Sequence, residues 1–87
     1  MTGIEYMQGL FRDTAAMTRD AIAKGDDISM ELACKWVWYL HGLTAGAKLA
    51  DYTYEADRAI AQAMRDDLQQ LETEYNERLC KKHETIL

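Results

Sequence analysis

Two histidines and two cysteines are the residues of this chain best suited to chemistry, and they fall into pairs. Cys34 stands seven residues before His41, and Cys80 stands three before His83. On a helix both spacings bring the partners to one side, and four such ligands would make a tetrahedral zinc site if two helices met there. The pattern falls short of that. There is no short Cys-x2-Cys pair, and on a helical wheel Cys80 turns away from the apolar seam of its own helix. Two unrelated free thiols are expected, with no structural metal and no cofactor.

Acid–base and nucleophilic chemistry have no better footing. The acids cluster at Asp26-Asp27 and Asp66-Asp67. Neighbours on a helix point about 100° apart, so neither pair can share a proton. No His-Glu-x-x-His, no Glu-x-x-His and no glycine-rich phosphate loop occurs. Ser29 is the single serine, and its place before an apolar run marks it as a helix cap rather than a nucleophile. No catalytic constellation forms, and an enzyme is not expected. The run Trp36-Val37-Trp38-Tyr39-Leu40-His41 is the most unusual stretch. It could line a pocket that stacks a nucleobase, with Arg12, Arg19 or Lys35 holding a phosphate. A stripe at helical spacing more commonly packs than binds, so core and interface are the expected roles.

The elements that must carry these residues are helices. Proline is absent, and the chain is rich in Ala, Leu, Met, Glu, Gln, Arg and Lys, all good helix formers. No run alternates as a half-buried strand does. The expected fold is a single all-α domain over residues 1–87, a small three-helix bundle. Helix 1 is expected from about Thr2 to Lys24, with Gly25 in the left-handed position that ends it. Its apolar arc holds Ile4, Met7, Leu10, Phe11, Thr14, Met17, Thr18, Ala21 and Ile22. Arg12, Asp13, Arg19 and Asp20 lie on the other side.

Helix 2 is expected from Met30 to about Ala50, with Ser29 as N-cap and Ile28 stapled onto Ala33. Asp51-Tyr52-Thr53 would then be the turn, and helix 3 would run from about Tyr54 to Lys82 with Thr53 as its cap. The alternative breaks helix 2 at Gly42, giving a short helix 30–41 and one long helix 44–82. In helix 3, Ile60, Met64, Leu68, Leu71, Tyr75 and Leu79 form a narrow seam close to coiled-coil spacing. The tail His83–Leu87 is expected to fray.

Helix 2 is apolar on two faces. Leu32, Trp36, Tyr39, Leu40, Leu43, Ala47 and Ala50 are assigned to the core, while Cys34, Trp38, Gly42, Ala45 and Leu49 fall nearly opposite. Three helices cannot bury every side of one of them, so the second face is expected to meet another chain, with Trp38 as anchor. The domain is therefore expected to self-associate.

Charge narrows the partners. Ten basic residues stand against fifteen acidic ones, a net charge of −5. That excludes general duplex nucleic-acid binding, which draws its affinity from a basic face. No uninterrupted apolar run is long enough for a membrane span, and no secretory signal opens the sequence, so a reducing cytoplasm is expected. The expected function is a non-catalytic protein–protein interaction module that binds and modulates another protein, inhibition being the favoured mode. In size and composition the chain resembles bacteriophage and mobile-element accessory proteins that antagonise host defence, a resemblance of class that rests on no motif. The alternative is a helical oligomer that sequesters a small flat ligand such as a nucleotide.

Overall fold

A computed structural model describes residues 3–49 and 55–86, the side chains at 48, 49 and 82–86 excepted. Three helices follow one another, α1 (Gly3–Lys24), α2 (Asp27–Leu49) and α3 (Glu55–Ile86), and each touches both others. The fold is an all-α three-helix bundle. Met7 of α1 reaches α2 at Gly46, while α2 sets His41 against Glu72 and Cys34 beside Tyr75 of α3. These pairings make α2 antiparallel to both neighbours. The outcome is a rod with principal extents of 52 × 17 × 15 Å.

Two residues join α1 to α2. Gly25 adopts φ 71°, and its N–H donates to the Ala21 carbonyl at 3.0 Å, closing α1 with a left-handed cap. The next residue, Asp26, caps α2. Its carboxylate accepts the Ser29 N–H at 2.8 Å and the Ser29 hydroxyl at 2.9 Å, and its carbonyl accepts the Met30 N–H at 2.9 Å. The N-cap is thus Asp26, not Ser29, and α2 begins at Asp27 rather than Met30. A carboxylate accepts more strongly than a hydroxyl and also complements the positive end of the helix dipole, so it wins the capping position. Ile28 then falls within the first turn and is 73% exposed, which removes the expected staple onto Ala33. Asp26→Ala should cost about 1 kcal/mol in urea unfolding, and Ser29→Ala clearly less.

The core is built from Ile4, Phe11 and Ala15 of α1, Leu40 and Ala47 of α2, and Ala61, Met64, Leu68 and Leu71 of α3. Two threonines join it without penalty. Thr18 Oγ1 donates to the Thr14 carbonyl at 2.7 Å and Thr44 Oγ1 to the Leu40 carbonyl at 2.8 Å, so neither hydroxyl is left unmatched. The seam expected on α3 holds at Met64, Leu68 and Leu71, with Ile60, Tyr75 and Leu79 half-buried.

The core side of α2 agrees with expectation at Leu40 and Ala47 and differs at its bulkier residues. Met30, Ala33, Val37, Leu40, Thr44 and Ala47 face inward, whereas Leu32 and Tyr39 are exposed and Trp36 is only half-buried. The buried line is rich in small side chains, which let three helices approach closely; the large ones are displaced to the flank. Met17 of α1 is likewise exposed rather than in the core, and Ala15 takes an inward place.

α2 runs unbroken through Gly42 to Leu49. α3 continues past the expected end at Lys82 to Ile86, over most of the tail expected to fray. Thr2, Ala50, the turn at Asp51-Tyr52-Thr53, the start at Tyr54 and Leu87 lie outside the described residues.

Candidate functional site

The surface of α2 that the bundle leaves open carries the most unusual chemistry of the molecule. Between Lys35 and Lys48, twelve consecutive residues include no Asp, Glu, Lys or Arg. The buried line described above takes four of them, and the rest form a polar-poor outer surface. Trp38 is 70% exposed, and Gly42 and Ala45 are exposed beside it. A tryptophan presents a large apolar area to water here, on a surface where a solvated helix would carry charge.

Trp38 is held in place from behind. Its ring lies 5.6 Å from that of His41, centroid to centroid, at a 43° tilt. His41 Nε2 in turn faces Glu72 Oε1 on α3, an ion pair whenever the imidazole is protonated. That oxygen is shut off from solvent and accepts no well-formed hydrogen bond, so its contact with the imidazole is electrostatic. Glu72, His41 and Trp38 thus form a continuous line of contacts from α3 to the outer face of α2.

The other interface candidates are divided. Cys34 is half-buried and turned to α3, where it meets Tyr75. Burial foremost, and the Cys34 contact next, push the Tyr75 phenol above its ordinary range. The neutral phenol is the form this packing favours. Its contribution is therefore present at neutral pH and lost only as pH rises through that raised value. The Leu49 side chain lies outside the described residues.

A second apolar strip flanks α2 on its α1 side. Met17, Ala21, Leu32 and Trp36 line a cleft of ≈ 170 Å³, closed at its rim by Asp20, Lys24 and Ser29. Sequence reasoning placed Met17, Leu32 and Trp36 in the core, and only Ala21 of this strip is buried. The signal that separates them is size: the inward line of α2 is the one with alanines at 33 and 47, whereas Leu32, Trp36 and Tyr39 repeat on the bulkier neighbouring line. The cleft lies below the ~300 Å³ at which small-molecule sites begin. A larger depression of ≈ 450 Å³ along α3 is lined by Thr73, Asn76, Glu77, Cys80 and Lys81, which supply no aromatic face for stacking.

Of the cations expected near the aromatic run, Arg19 and Lys35 already face acids. Arg19 donates to Asp67 Oδ1 at 2.8 Å and to Glu74 Oε2 at 3.1 Å, tying α1 to α3. The hydrogen bond to Asp67 is the main reason its guanidinium is held even more firmly protonated than usual, against a smaller opposing effect of burial. Asp67 and Glu74 stand seven residues apart on one side of α3, a spacing that could have announced a shared cation. Lys35 faces Glu31 at 3.9 Å one turn away. Among the described residues no three His, Cys, Asp or Glu side chains gather as a metal site; Cys80 is exposed, and the His83 side chain is outside the described set. No described helix is long and apolar enough to cross a membrane.

Fold and surface together define a three-helix bundle with a braced aromatic residue on the open side of its middle helix. No family model matches the chain, and no curated protein or solved structure is significantly similar to it.

Proposed function

We propose that this chain is a non-catalytic interaction module that binds and inhibits another protein in the cytoplasm, as small accessory proteins of phages and mobile elements do to host defence. The observation that carries the reading is the stretch of α2 between Lys35 and Lys48, without Asp, Glu, Lys or Arg, on whose outer side Trp38 stands exposed against His41. Tryptophan in such a place supplies much of the binding energy of protein interfaces, and a side chain already restrained loses less entropy on binding. The rival reading, capture of a nucleotide or other flat ligand, gains nothing from the small cleft at Trp36 or from Arg19 and Lys35, which already face acids.

The test has two arms. The tagged chain should retain one dominant protein from lysate of its source cell, and the purified partner should bind it and lose activity on binding. Trp38→Ala should abolish that retention while keeping the helical circular-dichroism signal. In the second arm, a panel of nucleotides should leave the melting temperature unchanged, because a ligand that bound the folded state would raise it by mass action. A nucleotide-dependent rise with no retained protein would replace this reading with the ligand one.

A further inference from the structure

We infer that the groove between α1 and α2, on the side away from α3, takes an amphipathic helix of a partner protein, one whose polar edge is basic. The inference rests on the reading of this chain as an interaction module and gives it a second surface, apart from Trp38.

Apolar exposure is concentrated along that groove. Among the described residues six large apolar side chains are exposed: Tyr6 and Met17 of α1, Ile28, Leu32 and Tyr39 of α2, and Trp38. Met17 and Leu32 face each other across the cleft. Tyr6 stands eleven residues before Met17, and Ile28 and Tyr39 stand four before and seven after Leu32. Each of these spacings returns to the same side of a helix. Five of the six therefore share one strip, and Trp38 alone lies outside it.

The shape of the strip suits a helix. At its middle, Met17 and Ala21 of α1 and Leu32 and Trp36 of α2 frame the cleft of ≈ 170 Å³. That space is too small for a small-molecule site. Two pairs of residues four apart, on facing helices, instead bound a hole that accepts one side chain from a third helix. α3 already docks in this way on the opposite side of the same pair, with Met64, Leu68 and Leu71 in the core. From Tyr6 to Lys24 the strip runs roughly 27 Å, the length of a helix of about five turns. Recognition of that kind reads anchors at i, i+3 or i+4, and i+7.

Charge selects which helix. Asp20 stands at the rim of the cleft, and Asp13 shares its side of α1 seven residues earlier. Both are exposed, and among the described residues neither belongs to an ion pair. On the α2 edge Glu31 and Lys35 face each other at 3.9 Å. Lys24 closes the rim at the joint. The charges left unmatched along the groove thus read acid, acid, base at positions 13, 20 and 24. A partner helix meets them with two bases seven residues apart and an acid one turn beyond. An acidic helix would meet like charge at both carboxylates, which lowers its rate and strength of binding.

A displayed library of helical peptides of about 20 residues tests this, with leucines fixed along one face and the flanking positions free to be Lys, Glu or Gln. Clones retained by the purified protein should carry lysine at two flanking positions seven apart. A labelled synthetic peptide of that sequence should bind in fluorescence anisotropy, and changing both lysines to glutamate should weaken it at least ~tenfold. Leu32→Glu, at an exposed position where folding tolerates it, should cost at least ~tenfold with an unchanged helical signal, while Trp38→Ala should leave binding as it was. Asp13→Lys with Asp20→Lys should turn the preference toward the glutamate peptide, whereas the same change of net charge by Asp66→Lys with Glu77→Lys on α3 should not. The proposal is overturned if no clone is retained, if the flanks show no preference for lysine, or if binding survives Leu32→Glu. It is also overturned by a wild type of twice 10.0 kDa that Leu32→Glu returns to the single mass, which would give the groove to a second copy. A chain that binds these peptides yet retains no protein from lysate would refute the proposed function alone, and a chain that retains its partner through Trp38 but binds no peptide would refute this inference alone.

Discussion

Phe11→Ala should be the most damaging single truncation in this protein, lowering unfolding free energy by about 3–5 kcal/mol. The ring is 1% exposed and belongs to the cluster that includes Leu40, Met64 and Leu71. Its removal leaves a void where all three helices meet, and each of them is too well packed elsewhere to collapse into it. A domain of this length holds roughly 4–13 kcal/mol in all, so the loss is a large share. The two tryptophans set the scale on either side. Trp36→Ala should cost less than Phe11→Ala, since Trp36 only half-enters the bundle. Trp38→Ala should change monomer stability by no more than about 0.5 kcal/mol, because an exposed side chain leaves no cavity. Urea unfolding of the three variants at low protein concentration decides the matter. A Trp38→Ala as costly as Phe11→Ala would mean that the outer face of α2 is covered within the monomer.

Gly25→Val should be the second most damaging, at about 2–3 kcal/mol, and it acts through backbone and neighbour together. At φ 71° a β-branched residue is strained whatever surrounds it. Here the space a Cβ would need is also filled by the Arg78 guanidinium of α3. The two contributions can be separated. Gly25→Ala in a chain carrying Arg78→Ala should recover part of the loss seen with Gly25→Ala alone, and the unrecovered part is the backbone strain. A Gly25→Val protein as stable as the wild type would mean that α1 does not end in a left-handed cap.

The helical content, the cap at Gly25 and the seam at Met64, Leu68 and Leu71 are legible in the sequence because each depends on local rules: propensity, handedness and period. The open side of α2 at Trp38 was legible for the same reason, since Trp36 and Trp38 must point about 200° apart on one helix. The rotation of α2 about its own axis was legible only in part. Leu40 and Ala47 were expected inside and are buried, whereas Ala33 and Thr44 take the inward places expected of Leu32, Trp36 and Tyr39, because close helix packing selects the smaller side chains. The cap at Asp26 was missed because two good capping residues stand three apart, and only the joint with Gly25 decides between them. Arg19 was misplaced because its partners lie on α3, 48 and 55 residues further along. A pairing at that distance follows from how the helices are arranged in space, which no local pattern records.

The short joint between α1 and α2 also bears on the order in which the bundle assembles. With Gly25 and Asp26 alone between the helices, closing that hairpin orders very little loop, and its contacts are local in sequence. α3 can be tied down by Arg19 only after a much larger loop has closed. Chain closure therefore costs least for the α1–α2 pairing and most for the Arg19 contacts that join α1 to α3 across the intervening helix. A chain with α1 and α2 paired and α3 undocked would leave Phe11 and Leu40 without their third wall. Fast docking of α3 would thus keep that surface from aggregation.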